Sequence, residues 1–251
     1  MSARPREGRR AMGLFGKRRE QTPVGRPLGR DLAHGEHAGW RKLVLVRHGQ
    51  TDFNVEHKLP GQLPGIPLND EGRREAQATA AAIRGLPLTA IVASPLERTM
   101  ETAGFINEGR GLPIHQDRDL LDTDYGRFAG QSYDALDKQD AGWRRFTTDP
   151  LHAPAGVESF AAVQRRAVRA AERWRVAPDA GEWVALVTHA DLVKMIVAHY
   201  LKIPLTSVPL INMDNASASL LAFHPDPSAP PSLLCFNWTS PALWLAAARH
   251  S

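Results

Sequence analysis

Short apolar runs alternate with helix-forming segments along the chain from about residue 42. Residues 43–46 form the first run, and residues 89–93 and 183–187 repeat the pattern. Apolar, β-branched runs of this length are typical of buried strands. Because strands that alternate with helices build layered folds, the pattern predicts an α/β fold. We expect a three-layer α/β/α sandwich with a mostly parallel central sheet.

The helix-forming segments carry their own boundary signals. Asn69 or Asp70 is placed to cap a helix that begins near residue 71, and Gly85 is a natural stop after it. Further helices are expected over residues 159–174 and 192–201. Two late strands are expected at residues 217–223 and 233–238.

Polar residues follow each of the three expected parallel strands. Arg47 and His48 follow the first strand, Arg98 lies shortly after the second, and His189 follows the third. Because parallel strands place their carboxyl ends at one edge of a sheet, we expect these side chains to converge. The guanidinium fork of arginine matches phosphate oxygens, and a neutral imidazole is able to attack phosphorus. The sequence therefore predicts an anion site suited to phosphoryl chemistry.

Four motifs occur in a fixed order along the chain. They are Arg47-His48-Gly49-Gln50-Thr51-Asp52-Phe53-Asn54, Ser94-Pro95-Leu96-Glu97-Arg98-Thr99-Met100-Glu101-Thr102-Ala103, Gly156-Val157-Glu158-Ser159-Phe160 and Val187-Thr188-His189-Ala190. In this order they resemble the signature of the histidine phosphatase superfamily, the phosphoglycerate mutase-like proteins. The resemblance extends from about residue 42 to about residue 240 and implies a phosphoglycerate mutase-like fold.

The resemblance implies catalytic roles at the strand ends. His48 is the expected nucleophile, which attacks a phosphomonoester to give a phosphohistidine that water later hydrolyses. A backbone carbonyl is expected to hold its other ring nitrogen and so fix the tautomer. Arg47 and Arg98 are expected to clamp the transferring oxygens, and His189 is expected to donate to the same oxygens.

Protonation of the leaving group requires a carboxylic acid near the scissile oxygen. Residues 121–130 resemble the acid segment of the family, and Asp122 falls on the acid position. Asp124 is the competing candidate, and one of the two is expected to support the loop instead. To act near neutral pH, Asp122 needs a pKa raised by burial or by neighbouring charge.

Three further residues match or depart from the family pattern. Asn54 matches a phosphate-contacting asparagine, with a turn-forming role as the alternative. Glu158 matches a glutamate that lies next to the phosphate pocket and orients an arginine, although Val157 interrupts the motif. Pro60 stands where family members often carry Thr or Gln, so we expect a different substrate preference.

The favoured function is a metal-independent phosphomonoester hydrolase that needs no cofactor. Only about 30 residues separate Gly126 from Gly156, so the long insertion of the cofactor-dependent mutases is missing and the site is expected to admit water. Mutase-type phosphoryl transfer and a non-catalytic phosphate-binding module are the alternatives. The substrate is expected to be a small phosphorylated metabolite. Its pocket wall is expected to come from residues 52–66 and 126–156, including Trp143, Arg144, Arg145 and Phe146.

Positive charge is concentrated at the N-terminus. Residues 1–40 hold nine of the 31 Lys and Arg and four of the 27 Asp and Glu, which leaves residues 41–251 with 22 basic and 23 acidic side chains. We therefore divide the chain into a disordered basic tail over 1–40 and one catalytic domain over 41–251. Tail binding to nucleic acid or acidic lipid and a merely solvated extension both remain open, as does a start at Met12.

The remaining composition bears on location and assembly. Cys235 is the lone cysteine, which fits a reducing cytosol, and its apolar neighbours favour a buried thiol. A membrane-spanning helix needs about 20 consecutive apolar residues, and no stretch of the sequence approaches that length. We expect a cytoplasmic protein with no membrane span. We do not expect the domain itself to bind nucleic acid. A homo-oligomer is compatible with the resemblance, since family members occur as monomers, dimers and tetramers.

Overall fold

The structure, a computed structural model, describes residues 39–149 and 151–239. The predicted disordered tail lies outside the described residues except for its last two positions, and the candidate start Met12 lies outside them as well. The described part contains no helix long and apolar enough to cross a membrane.

The described residues form one twisted sheet. Its strands are β1 (Arg41–Arg47), β2 (Ala90–Ala93), β3 (Ile114–Gln116), β4 (Trp183–Thr188), β5 (Ala218–Phe223) and β6 (Ser232–Trp238). They lie in the order β3-β2-β4-β1-β5-β6. The pairs β1–β4, β2–β4 and β2–β3 are parallel, whereas β1–β5 and β5–β6 are antiparallel. The prediction of a mostly parallel sheet is confirmed.

Helices cover both faces of this sheet. They are α1 (Asp52–Val55), α2 (Asp70–Ala82), α3 (Glu97–Asn107), α4 (Tyr133–Gln139), α5 (Ala141–Thr148), α6 (Phe160–Val176) and α7 (Ala190–Leu201). Side chains alternate across a strand, so β1 contributes Leu43 and Leu45 to one core and Val44 and Val46 to the other. The first core packs against α6 and α7 and the second against α2 and α3. The three-layer α/β/α sandwich is therefore confirmed.

Local capping explains where the helices begin. Of the two predicted caps of α2, Asn69 serves, because its side chain accepts a hydrogen bond from the Gly72 N–H at 2.9 Å. Helices α4 and α5 were not predicted, and each begins at a side-chain cap, Ser132 and Asp140 respectively. Each spans only about two turns, which is too short for a sustained apolar period to stand out in sequence.

Cys235 is only partly buried in the structure, unlike the fully buried thiol expected from its neighbours. The reason lies in the sheet topology. Strand β6 is an edge strand, and each of its residues keeps some exposure.

Candidate active site

A pocket opens at the carboxyl edge of the parallel strands. It is lined by Arg47, His48, Asn54, Pro60, Asp122, Tyr125, Tyr133, His189, Ala190 and Asp191. The edge forms because the parallel pairing of β1 with β4 aligns Arg47 with Thr188, so that His48 and His189 leave adjacent strands at the same level. The sheet thus brings together the residues predicted at the ends of the first and third strands.

His48 is buried and held in one tautomer. Its Nδ1 lies 2.7 Å from the carbonyl oxygen of Gly49. Because a carbonyl only accepts, Nδ1 carries the proton and Nε2 keeps its lone pair. Burial, followed by the charges of Arg98 and Arg47, lowers the pKa of His48 well below its usual value. The ring is therefore neutral near pH 7 and has a free nitrogen.

Close backbone packing fixes the loop that carries His48. A β-carbon added at Gly49 would lie 2.3 Å from the carbonyl oxygen of Gly72, at the start of α2. One added at Gly72 would lie 2.0 Å from the carbonyl oxygen of Gln50. Glycine at both positions therefore allows α2 to approach the loop that follows β1.

Arg47 and Arg98 have buried donors that bond to none of the described residues. Arg47 donates through Nη1 to the carbonyl oxygen of Met213, while its buried Nε has no partner among the described residues. Arg98 is fully buried and donates through Nη2 to the carbonyl oxygen of Gly61 at 2.7 Å. Its Nε and Nη1 also find no acceptor in the described part. Buried charged donors are costly to leave unpaired, so this arrangement favours an anion with several acceptor oxygens.

His189 precedes the first residue of α7 and lines the pocket. Its Nε2 lies 3.0 Å from Ser94 Oγ, and its Nδ1 lies 3.5 Å from Asp122 Oδ2. The rings of His48 and His189 meet edge to face, with centroids 5.2 Å apart. Burial and the Arg98 charge lower the pKa of His189 well below its usual value.

The structure separates the two candidate acids. Asp122 is buried in the pocket, where Oδ1 accepts from the Thr123 N–H at 2.9 Å and Oδ2 accepts from Arg98 at 3.1 Å. Burial raises the pKa of Asp122 to about 6, against the opposing charge of Arg98. Asp124 is exposed and accepts from the Gly126 N–H at 2.9 Å. Asp124 therefore supports the loop, while Asp122 faces the pocket.

Asn54 has the turn-forming role that its sequence position left open, and it lies at the pocket. Its Oδ1 accepts a hydrogen bond from the Thr51 N–H at 3.0 Å, which completes a capping box at α1, and a second from Asn215 Nδ2 at 3.1 Å. The residue also lines the pocket. With its oxygen occupied by these donors, its amide N–H groups are the part that suits an anion.

Glu158 matches a glutamate expected next to the phosphate pocket, and it does not line that pocket. Its two carboxylate oxygens accept from Arg166 at 2.7 and 2.8 Å. Arg166 in turn donates to the carbonyl oxygens of Leu121 and Asp122, at 2.5 and 2.8 Å. Glu158 thus orients an arginine, but that arginine holds the backbone of the Asp122 loop. Its carboxylate carries the wrong charge to bind phosphate directly.

Sequence reasoning missed two residues that line the pocket, Tyr125 and Asp191. Asp191 accepts from Tyr125 Oη at 2.7 Å and from Thr123 Oγ1 at 3.1 Å, and it pairs with Lys194 at 2.9 Å. Although burial opposes it, the charge and hydrogen bond of Lys194 hold the pKa of Asp191 below its usual value. Its position, two residues after His189, was the available signal. Tyr125 had none, whereas Tyr133 lies in the stretch 126–156 that was predicted to form the pocket wall.

Among residues 39–149 and 151–239, no group of three or more His, Cys, Asp or Glu side chains is arranged to hold a metal ion. What the site does assemble is a neutral imidazole with a free nitrogen, unpaired guanidinium donors and a carboxyl group with a raised pKa. This set suits nucleophilic attack on an anionic phosphoryl group with protonation of the departing oxygen.

Comparison with known proteins matches residues 43–236 to the family model described as the histidine phosphatase superfamily (branch 1). A curated relative, glucosyl-3-phosphoglycerate phosphatase of Mycobacterium tuberculosis, is 34% identical over 193 residues, covering 73% of this chain and 86% of the relative. The probable phosphoglycerate mutase GpmB of Cronobacter sakazakii is 31% identical over 189 residues, covering 74% and 86%.

Solved structures show the same similarity. A complex of mycobacterial glucosyl-3-phosphoglycerate phosphatase with VO3 superposes with a TM-score of 0.70 at 33% identity, covering 79% of this chain and 100% of that chain. YhfR of Bacillus stearothermophilus superposes with a TM-score of 0.72 at 30% identity, covering 80% and 98%.

Proposed function

Because this chain belongs to the histidine phosphatase superfamily, branch 1, we propose that it hydrolyses small phosphomonoesters through a phosphohistidine on His48. The observation that carries the proposal is the locked tautomer of His48, whose Nδ1 is bonded to the Gly49 carbonyl and whose Nε2 is free. The unpartnered donors of Arg47 and Arg98 support it, since they match the oxygens of a transferring phosphoryl group.

In the first step, the Nε2 lone pair of His48 forms a bond to phosphorus as the bond to the leaving oxygen breaks. Asp122 gives its proton to that oxygen, so that an alcohol rather than an alkoxide departs. In the second step, water forms a bond to phosphorus as the bond between phosphorus and His48 Nε2 breaks. Inorganic phosphate leaves, and Asp122 takes up the proton that the water loses. Arg47, Arg98, Asn54 and His189 bind the phosphoryl oxygens throughout. No step requires a metal ion, and we propose that the enzyme is metal-independent.

The substrate is a small phosphorylated metabolite. Glucosyl-3-phosphoglycerate, named in the relatives, belongs in the first substrate screen. Phosphoryl transfer to a second substrate, as the name of the mutase relative suggests, is the alternative. Release of inorganic phosphate in the absence of an acceptor substrate supports the hydrolase, whereas phosphoryl transfer without phosphate release supports the mutase.

The decisive experiment traps the phosphoenzyme. Wild-type protein quenched in denaturant after mixing with labelled substrate is expected to carry acid-labile, alkali-stable label, and His48→Gln is expected to carry none. His115→Gln is the control, since His115 is exposed and lies outside the pocket. Full turnover by His48→Gln contradicts the proposal, and loss of turnover in EDTA contradicts its metal independence.

We further propose that the enzyme is cytoplasmic, supported by its single, partly buried cysteine. Cell fractionation followed by activity assay tests this location. Assembly into a homo-oligomer stays a prediction, to be checked by light scattering.

A further inference from the structure

A second cavity of about 340 Å³ adjoins the phosphate pocket. Tyr125, Tyr133 and Asp191 line both spaces. The other lining residues of the cavity are Asp137, Trp143, Phe146, Thr147, Phe160, Lys194 and Pro209. Small-molecule sites begin at about 300 Å³, so the cavity is large enough to hold the part of a substrate that extends away from its phosphate.

The cavity has a fixed aromatic wall. Trp143 is buried and meets the ring of Tyr125 edge to face, with centroids 6.2 Å apart. Phe146 packs on Phe160 in the same manner at 5.1 Å. Trp143 Nε1 donates to Asp137 Oδ1 at 2.8 Å, which ties the indole to α4. Interlocked rings of this kind present flat apolar faces to a ligand.

The ionic groups of the cavity are predominantly acidic. Asp137 and Asp191 supply two carboxylates, while Lys194 supplies one ammonium group that already pairs with Asp191 at 2.9 Å. Arg144 and Arg145, which the sequence placed in the wall, are exposed and do not line the cavity, although Arg144 Nη1 donates to the backbone carbonyl oxygen of Asp137 at 3.0 Å. A carboxylate has about four acceptor sites, so Asp137 can accept further hydrogen bonds beside that from Trp143.

We propose that this cavity is the leaving-group subsite, and that it selects a neutral, hydroxyl-bearing group with an apolar face over a group that carries a carboxylate. The inference rests on the proposed phosphatase function and adds its substrate class. Hydroxyl groups donate to Asp137 and Asp191, while C–H faces pack on the aromatic wall. A carboxylate placed there meets the like charge of Asp137, and the lining cation Lys194 already pairs with Asp191.

A matched pair of substrates tests the selection. Glycerol 3-phosphate and 3-phosphoglycerate differ only in a hydroxymethyl group and a carboxylate at the far carbon. We expect kcat/KM to favour glycerol 3-phosphate about tenfold, as one unpaired like-charge contact predicts. Equal values, or a preference for 3-phosphoglycerate, overturn the inference. Phenyl phosphate serves as the separate test of function, since failure to hydrolyse any of the three esters contradicts the phosphatase itself.

Two variants on α4 test whether the preference for glycerol 3-phosphate arises in the cavity. Asp137→Asn keeps an acceptor for Trp143 while removing one negative charge, and we expect it to reduce the preference for glycerol 3-phosphate severalfold. Asp134→Asn is the matched control, because Asp134 is exposed on the same helix and does not line the cavity.

Thr147→Trp, at the exposed rim, is expected to raise KM for esters with bulky leaving groups. An unchanged preference in Asp137→Asn together with an unchanged KM in Thr147→Trp overturns the assignment.

Discussion

Asp122 accepts a hydrogen bond from Arg98 at 3.1 Å, yet its pKa is raised to about 6. Burial is the larger effect, and the neighbouring Asp191 adds to it, so the guanidinium charge does not restore the usual acidity. The pair thus keeps a carboxyl group that still holds its proton in slightly acidic solution, beside a cation that binds phosphoryl oxygens. One hydrogen bond therefore joins the proposed general acid Asp122 to Arg98, the proposed ligand of the phosphoryl oxygens.

The pKa of Asp122 predicts how turnover responds to pH. As a general acid it works only while protonated, so kcat/KM for an alkyl phosphate is expected to fall as pH rises above about 6, approaching tenfold per unit. p-Nitrophenyl phosphate, whose leaving group needs little protonation, is expected to fall less. The comparison is made above about pH 7, where both substrates are dianions.

The matched variants are Asp122→Asn and Asp124→Asn. The first is expected to lose about 10²- to 10⁴-fold of kcat/KM toward alkyl phosphates, and the second is expected to keep the wild-type profile. The opposite result, with Asp124→Asn losing the pH dependence, assigns the acid to Asp124.

The same pKa predicts a stability cost at high pH. A carboxyl whose folded pKa lies above its unfolded value of 3.8 favours folding in its protonated form, and this contribution is lost as pH rises through about 6. The full shift corresponds to about 3 kcal/mol. Asp122→Asn, which never ionises, is therefore expected to unfold at higher urea than wild type at about pH 8 and at nearly the same urea at about pH 4. A stability difference that does not change with pH contradicts the assigned shift.

Sequence pattern alone located five of the six described strands, all except β3, together with the strand-end residues. Strands β1 and β4 are short apolar runs, and parallel pairing then forces His48 and His189 to one edge. The surroundings of these residues depend on long-range packing instead. Tyr133 reaches the pocket only because α4 folds beside it, and Glu158 turns toward Arg166 on α6. Neither relationship has a periodicity or a spacing that a sequence displays.

Arg166 is expected to act on catalysis through Asp122. It holds the carbonyl oxygens of Leu121 and Asp122, so Arg166→Gln allows the acid to shift by a fraction of an ångström. We expect kcat for alkyl phosphates to fall by about 10- to 100-fold with a smaller change in KM, and p-nitrophenyl phosphate to be affected less.

Arg169→Gln is the control for that variant, because Arg169 lies one turn further along α6 and pairs with Asp119. A merely structural role predicts equal losses on both substrates. Arg166→Lys is not expected to rescue turnover, since an ammonium group lacks the guanidinium fork that reaches several oxygens at once.

Gly72 is expected to be intolerant of any side chain. A β-carbon there would lie 2.0 Å from the Gln50 carbonyl oxygen, so Gly72→Ala must push α2 away from the loop that carries His48. We expect a loss of at least about 2 kcal/mol in urea unfolding, together with reduced turnover. Gly104→Ala is the control within α3, where nothing lies within 4 Å of the added carbon and the change is expected to be neutral or to stabilise by up to about 1 kcal/mol. If the two variants unfold alike, the contact between α2 and this loop does not constrain the nucleophile.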